Sequence, residues 1–345
     1  MEQSLLFPKR LQVWLTLLRL GPTARGVLPF LLGTIIAWSQ GNPINWVVLV
    51  ISSLAVVCIM GMTFLINEYY DYQADLLSEP FHRLSGGSRM LPSGLVAKAS
   101  VIKAAYIFLI IAAILGLILH FHYHTGLYTI PLGALAIFIG YFYTARPLQF
   151  SYHGLGEISI WFTCGWLATI CGYYLQTGHL DLVTTLVSLP GATSIFLVIL
   201  VNEMPDIASD SLAGKRNLAV RLGERKTILL YNILMVACCI NIIVIVLFDV
   251  PKISVLFSLI LLPLIASSIR GTRRELGRKT LESLSLKTML FDHLITIIYM
   301  ATFVVIGWSS NFLDDLIVIG ILFLLCFSLE GLSFISANRL KEYIK

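Results

Sequence analysis

Long apolar stretches alternate with short polar ones along almost the whole chain. A membrane-spanning helix needs about 20 mostly apolar residues, and ten segments meet or approach that length. These segments are 14–39, 45–67, 99–121, 127–143, 157–176, 182–202, 228–249, 252–270, 289–309 and 313–336. The last segment contains Glu330, and the first carries two arginines that place its start along the interface. The pattern predicts an all-α fold, a polytopic membrane helix bundle.

The positions of the basic residues give the orientation of these spans. Lysines and arginines concentrate in cytoplasmic loops of membrane proteins. With ten spans and a cytoplasmic N-terminus, Lys252 alone of the 24 basic residues falls outside. We therefore expect both termini on the cytoplasmic side. The longer loops on that side are 68–98, 203–227 and 271–288, and the basic third loop suits contact with anionic membrane lipid.

Composition agrees with a membrane protein and excludes an ordinary soluble domain. Hydrophobic residues make up 57% of the chain and charged residues 12%, with a mean hydropathy of +0.86. Soluble domains carry about 25% charged residues. The six cysteines lack the spacing of a metal site and fall mostly in apolar runs, which is typical of buried thiols. No nucleic-acid partner is expected, and the sequence leaves the oligomeric state open.

Two acidic motifs end the second and sixth predicted spans. "NEYYDYQAD" covers residues 67–75 and "NEMPDIASD" covers residues 202–210, and both read Asn-Glu-x-x-Asp-x-x-x-Asp. The four spans between them restore the original direction, so both motifs emerge on the same, cytoplasmic side. Such repetition is typical of membrane proteins built from two related halves. We predict two pseudo-repeated halves around a central cavity, with the active site at its cytoplasmic end.

Within each motif the polar residues recur every fourth position, which places them on one helix face. Pro205 predicts a kink or a new helix start in the second motif. Mg²⁺ prefers oxygen ligands and is commonly shared between a few carboxylates and substrate phosphates. The predicted magnesium ligands are Asn67, Asp71, Asp75, Asn202, Asp206 and Asp210. Zinc is disfavoured because neither motif contains histidine or cysteine.

Cationic residues follow each acidic motif. "HRLSGGSR" contains Arg83 and Arg89, and "SLAGKRNLAVRLG" contains Lys215 and Arg216. Arginine and lysine bind phosphate oxygens and stabilise charge on a leaving group. These four residues are therefore the predicted diphosphate-binding residues.

The paired motifs resemble the signature of the UbiA superfamily of intramembrane prenyltransferases. The stretch "YTARPLQFSYHGLGEISIWFTCGWLATICGYYLQTG", residues 143–178, is similar to the branch of 1,4-dihydroxy-2-naphthoate polyprenyltransferases. "AGKRNLAVRLGERKT" resembles the segment after the second motif in that branch. The resemblance covers residues 14–310, within a single domain of residues 1–345.

The resemblance implies Mg²⁺-dependent transfer of a polyprenyl group from its diphosphate to an aromatic acceptor. For this branch the acceptor is 1,4-dihydroxy-2-naphthoate, and the products are demethylmenaquinone, diphosphate and carbon dioxide. The family usually has nine helices, so nine to ten are expected here, with 313–336 as an extra C-terminal span. The implied catalytic residues are Asp71, Asp75, Asp206, Asp210 and Tyr143.

Several alternatives stay open from the sequence. Arg146 stands where this branch often has glycine, and Glu157 suits either acceptor orientation or structural pairing. Other acceptors are 4-hydroxybenzoate, homogentisate or a glycerol-phosphate lipid precursor. An ion-coupled transporter is the other class of protein considered, but its intramembrane acids would lie near the bilayer midplane rather than at span ends. The sequence does not fix the prenyl chain length.

Overall fold

A computed structural model describes residues 7–77, 87–273 and 277–307. Within these ranges the chain is helical, and no β-strand occurs. The α-helices, in chain order, are α1 (Phe7–Leu17), α2 (Leu20–Ser39), α3 (Trp46–Tyr70), α4 (Tyr72–Leu77), α5 (Lys98–Phe121), α6 (Thr129–Phe142), α7 (Gly156–Ile160), α8 (Ala168–Thr177), α9 (Leu182–Glu203), α10 (Ile207–Leu212), α11 (Leu218–Val244), α12 (Ile253–Ser258), α13 (Leu262–Gly271) and α14 (Arg278–Ile306). The all-α prediction is confirmed for this part of the chain.

Short stretches of other helix types join some of these elements. A π-helical stretch, Trp161–Leu167, joins α7 to α8 within one span. The 3₁₀ turns are Phe150–Tyr152, Met204–Asp206, Ile245–Phe248 and Leu259–Leu261.

In the described ranges, seven helical stretches are long and apolar enough to cross a membrane. The bent pair α1–α2 adds an eighth if it forms one span, and α6 is apolar but has only 14 residues. These helices occupy the predicted segments from 14–39 to 289–309. The segment 313–336 lies outside the described residues, so the expected total of nine to ten spans and the two-halves layout stay predictions.

Two of the expected loops are shorter in the structure because helices extend into them. α11 begins at Leu218 and contains a non-helical break at Gly223, whereas the predicted span begins at 228. α14 begins at Arg278, eleven residues before the predicted span at 289. Polar residues can extend a helix beyond the apolar region, because water satisfies their side chains there. The hydropathy pattern therefore underestimated the lengths of α11 and α14.

Helix starts are fixed by side-chain caps on α3, α9 and α11. Asn45, Asp181 and Asn217 each accept the backbone N–H three residues ahead, at 3.2, 2.7 and 2.9 Å. These contacts satisfy N–H groups that have no partner inside the helix. The cap at Asn217 also determines where the chain after the second acidic motif turns back into the bundle.

α2 and α8 pack with their backbones in direct contact. A Cβ at Gly33 would overlap the Thr169 carbonyl, and one at Gly172 would overlap the Phe30 carbonyl. Small residues allow this close approach in membrane bundles, where van der Waals packing holds helices together. The α2–α8 pair is therefore a tightly packed wall of the bundle.

A cavity of about 1910 Å³ lies inside the bundle and extends along most of its depth. It is lined from the end of α3, at Asn67 and Asp71, to Leu119 on α5 and Thr129 on α6. Leu119 is 21 residues from the start of α5, which corresponds to about 30 Å of helix. Most drug-sized ligand pockets measure about 300–1,000 Å³, so this cavity suits a long apolar ligand.

Candidate active site at the two acidic motifs

The first acidic motif bridges the end of α3 and the short helix α4. The Asp71 N–H donates to the Asn67 carbonyl and the Asp75 N–H donates to the Asp71 carbonyl, both at 2.8 Å. Helical spacing thus continues across the break, and all three side chains line the cavity. Asn67 Nδ2 also donates to Asp71 Oδ2 at 2.8 Å. The predicted stripe of polar residues is present.

The second motif bends where Pro205 was predicted to interrupt the helix. α9 ends at Glu203, and a 3₁₀ turn, Met204–Asp206, leads into α10. Asn202, Asp206 and Asp210 nevertheless all line the cavity. The bend turns the stripe without removing any of these three side chains from the cavity.

Lys215 joins the two motifs. Its ammonium nitrogen lies 3.8 Å from Asp71 Oδ2 and 3.6 Å from Asp210 Oδ2. Burial alone would lower the pKa of Lys215, but the carboxylates of Asp71, Asp210 and Glu203 hold that pKa well above its usual value. The lysine is therefore charged, and the two motifs meet at one end of the cavity.

Two side chains outside the motifs orient these carboxylates. Tyr152 Oη donates to Asp71 Oδ1 at 2.9 Å, and Asn217 Nδ2 donates to Asp210 Oδ2 at 2.7 Å. Burial, followed by the negative charge of Asp71, raises the pKa of Tyr152, so its hydroxyl stays a donor. The sequence prediction missed both residues. Their only signal was position, since each lies within a segment that carries the family resemblance.

One carboxylate oxygen of Asp75, Oδ2, lacks a hydrogen-bond partner within the described ranges. This oxygen is buried, and a Cβ at Gly87 would overlap the carboxylate. Burial, then the negative charges of Glu68 and Asp71, raise the pKa of Asp75 to about 7. A carboxylate with this surplus of negative neighbours is one that a bound cation would stabilise.

Glu68 holds the loop beside Asp75 in place. Its carboxylate accepts the Ser88 N–H at 2.7 Å and the Ser88 hydroxyl at 2.8 Å. Arg19 forms an ion pair with Glu68 and also donates to Asn67 Oδ1 at 3.3 Å. The loop that contains Gly87 is thus fixed against the first motif. Sequence reasoning assigned no role to Glu68, although it recurs as Glu203 in the second motif.

The donor set fits a magnesium ion that a ligand helps to hold. Carboxylate and amide oxygens from both motifs line one end of the cavity, and Asp75 Oδ2 has no other partner in the described chain. No group of three described His, Cys, Asp or Glu side chains is close enough to hold a metal by itself. Mg²⁺ usually keeps several waters and is bound through one or two carboxylates plus substrate phosphates. The arrangement matches that mode rather than an all-protein metal cage.

The predicted diphosphate-binding residues are placed differently from one another. Lys215 and Arg89 line the cavity, while Arg83 lies outside the described residues. Arg216 is exposed and does not line the cavity, and its N–H donates to the Tyr152 carbonyl at 3.0 Å. The geometry does not support a contact between the Arg216 side chain and a ligand, because the tight turn after α10 directs only Lys215 inward.

Tyr143 lines the cavity at the end of α6 and lies near Lys215 and Glu203. Four aromatic residues close in sequence to the first motif or to Tyr143 pack against a hydrophobic cluster instead. They are Tyr69, Tyr70, Tyr72 and Phe142.

Glu157 is fully buried, and its Oε1 accepts the Leu218 N–H at 2.7 Å. Of the two roles left open for Glu157, this contact supports structural pairing, at the N-terminus of α11.

Comparison with known proteins identifies the family. The UbiA prenyltransferase family matches residues 26–283, which include both acidic motifs and Lys215. The chain belongs to the UbiA prenyltransferase family. The recognition made from the motifs is confirmed, and the protein is a prenyltransferase, not a transporter.

Sequence relatives of this UbiA prenyltransferase include naphthoate enzymes. The 1,4-dihydroxy-2-naphthoate octaprenyltransferase of Mycobacterium leprae is 28% identical over 224 residues, or 65% of this chain and 74% of the relative. The enzyme of the same name from Escherichia coli K12 is 24% identical, covering 87% of this chain and 98% of the relative. UbiA prenyltransferase domain-containing protein 1 of Xenopus tropicalis is 25% identical, covering 66% and 65%. This chain spans just under two thirds of that last relative.

Solved structures share the fold. A UbiA homolog from Archaeoglobus fulgidus bound to GPP and Mg²⁺ superposes with a TM-score of 0.56 at 18% identity, covering 83% of this chain and 99% of that one. A digeranylgeranylglyceryl phosphate synthase gives a TM-score of 0.59 at 18% identity, covering 85% and 98%. At these identities the likeness establishes a common fold.

Proposed function

We propose that this protein transfers a polyprenyl group from polyprenyl diphosphate to 1,4-dihydroxy-2-naphthoate, in a reaction that depends on Mg²⁺. The observation that supports this best is the meeting of both acidic motifs around Lys215 at one end of a long, largely apolar cavity. Such a site offers opposite environments to the two parts of the donor. The diphosphate meets cations and metal ligands, and the prenyl tail meets apolar walls.

The proposed magnesium ligands are the motif residues Asp71, Asp75, Asp206 and Asp210, with the amides of Asn67 and Asn202. When bound, the metal would neutralise diphosphate oxygens and favour departure of the leaving group. Asp71 and Asp210 are already oriented by Tyr152 and Asn217. Preorganised ligands of this kind avoid a cost of rearrangement during the reaction.

The residues of the chain contribute binding, charge and exclusion of water. Lys215 and Arg89 would donate to the diphosphate as the allylic C–O bond breaks and its electron pair passes to the leaving group. Tyr143 would place its ring beside the allylic cation, which an aromatic face stabilises. The acceptor ring carbon that carries the carboxylate forms the new C–C bond. In the naphthoate reaction of the family, loss of carbon dioxide then restores the aromatic ring.

The choice of acceptor rests on the relatives rather than on the site geometry. Relatives named as naphthoate octaprenyltransferases match this chain at 24–30% identity. They also support a polyprenyl donor, which the 1910 Å³ cavity would accommodate. In the membrane, we place the active site and both termini on the cytoplasmic side, as the basic residues indicate.

The decisive experiment supplies purified protein with Mg²⁺, prenyl diphosphates of several lengths and a panel of acceptors. The panel contains 1,4-dihydroxy-2-naphthoate, 4-hydroxybenzoate, homogentisate and a glycerol-phosphate lipid precursor, with products identified by mass spectrometry. We expect a prenylated naphthoquinol only from the first acceptor and only with Mg²⁺. Preferred turnover of another acceptor would replace the naphthoate assignment, and turnover in EDTA would contradict the metal requirement.

A further inference from the structure

A second polar cluster lies deeper in the bundle, away from the acidic motifs. Arg25 on α2 faces Asp292 on α14, with 3.6 Å between Arg25 Nε and Asp292 Oδ2. Asp292 Oδ1 accepts the Ser194 hydroxyl of α9 at 2.6 Å. Arg25 and His293 both line the large cavity. Ionisable residues within membrane spans are costly, so they usually mark a functional site.

The cluster lies at a distance from the acidic motifs that leaves room for a substrate between them. Ser285, also on α14, donates to Asn202 of the second motif at 2.7 Å. Asp292 follows Ser285 by seven residues, which corresponds to about 10 Å along the helix. A ligand that occupies the cavity beside the diphosphate site would therefore reach Arg25.

Arg25 faces Asp292 through its Nε and lines the cavity with another part of its side chain. Its Nε is buried and has no hydrogen-bond partner in the described part of the chain, and 11% of its side chain is exposed. Because Asp292 is held by Ser194 and lies 3.6 Å away, it balances the charge without forming a hydrogen bond to that nitrogen. A guanidinium presents five donors in a planar fork that matches a carboxylate.

The Arg25 carbonyl is a further polar group beside this ion pair. Pro29 has no N–H, so the Arg25 carbonyl loses the donor that a regular helix would supply. A second void of about 10 Å³, bordered by Arg25, Pro29 and Asp292, adjoins the pair. This volume is close to the lower limit for one water molecule. The site is therefore built from polar groups within an otherwise apolar wall.

We propose that Arg25 binds the carboxylate of the aromatic acceptor, and that Asp292 and Ser194 position the guanidinium for this contact. The inference rests on the proposed function, since it names the part of the acceptor that this cluster recognises. An aromatic acid entering an apolar cavity must exchange hydration of its carboxylate for a cationic partner. Within the described ranges, Arg25 is a cationic side chain that lines the cavity deeper in the bundle than the two motifs. His293 lies beside it and would contact the same ring system.

The test compares two ligands that differ only in the carboxylate. Binding of 1,4-dihydroxy-2-naphthoate and of 1,4-naphthalenediol is measured by calorimetry under anaerobic conditions, with wild type, R25Q, R25K, D292N and R25Q/D292N. We expect R25Q to weaken binding of the carboxylate ligand by about 10- to 100-fold, the range for charge-assisted hydrogen bonds. Binding of the diol should change less than twofold. R25K should retain part of the affinity, because it keeps the charge but loses the fork.

The double variant separates recognition from structural pairing. R25Q/D292N leaves no unpaired buried charge, so it controls for misfolding of the single variant. If Arg25 binds the acceptor and Asp292 positions it, D292N weakens carboxylate binding less than R25Q does, and the double variant shows the R25Q defect. If the double variant regains wild-type affinity, or both ligands weaken equally, the proposal is wrong.

The same proteins distinguish this inference from the proposed function. If the wild-type protein binds the naphthoate but forms no product from it, only the proposed transfer to naphthoate is contradicted. Product formation with an unchanged acceptor KM in R25Q would contradict the Arg25 assignment alone. In R25Q and in R25Q/D292N, the KM for prenyl diphosphate should stay within twofold of wild type.

Discussion

Replacing Lys215 with glutamine tests the central contact between the two motifs. The ammonium lies 3.8 and 3.6 Å from Asp71 and Asp210, and only 16% of the lysine side chain is exposed. At such distances each attraction is about 4 kcal/mol at an effective dielectric constant of 20. The cost of burying the ammonium offsets part of this, and breaking a buried ion pair typically costs about 3–5 kcal/mol. We therefore expect Lys215→Gln to lower the free energy of unfolding by about that amount without metal.

Magnesium should reverse this loss of stability but not the loss of activity. A bound cation would replace the missing positive charge between Asp71 and Asp210, so Mg²⁺ should raise the unfolding temperature of the variant more than that of wild type. The leaving diphosphate would still lack its lysine donor. Removing one such donor from an active site typically lowers kcat by about 10²- to 10³-fold.

The assay for Lys215→Gln is thermal unfolding in detergent, with and without Mg²⁺, combined with steady-state turnover. Lys226→Gln is the matched control, because Lys226 is exposed on α11 and does not line the cavity. The reasoning is refuted if Lys215→Gln unfolds at the wild-type temperature without metal. It is equally refuted if Mg²⁺ stabilises both proteins to the same extent.

Four further substitutions test individual contacts of the site. Asp71→Asn and Asp206→Asn should abolish turnover in the mass-spectrometric assay while circular dichroism stays unchanged; near-normal product formation would contradict the metal assignment. Tyr152→Phe removes a hydrogen bond to a charged group, which commonly contributes about 1.5–3 kcal/mol, and should lower kcat at least tenfold. An unchanged kcat would mean that Asp71 keeps its orientation without Tyr152. Gly87→Ala places a methyl group against Asp75 and should weaken Mg²⁺ affinity in calorimetry; unaltered affinity would show that the loop moves aside.

Much of the site was predictable because its chemistry is carried by short, regular patterns. The four-residue spacing of the acids survives the breaks at Asp71 and Pro205, since both local turns keep near-helical geometry. Hydropathy located the spans because lipid requires long apolar helices. The motif resemblance then predicted the family that the comparison confirmed.

The remaining part of the site depends on tertiary contacts that spacing does not encode. Tyr152 donates to Asp71, 81 positions earlier in the sequence, and Arg25, near the N-terminus, faces Asp292 near the end of the described chain. Arg216 looked equivalent to Lys215 because the two are adjacent, yet a turn directs one outward and the other inward. Side-chain direction in a tight turn is set by backbone geometry, which neighbouring residue types do not reveal.

The contact between α2 and α8 has a consequence for how the protein accommodates lipids of different size. Gly33 and Gly172 bring the backbones of α2 and α8 into contact. These two helices therefore cannot move apart to accommodate a bulky ligand without losing that contact. α5 and α6 also line the cavity, and they carry many exposed apolar side chains. Adaptation to a longer or shorter isoprenoid would therefore occur by displacement of α5 and α6, while the glycine-packed side serves as the fixed frame.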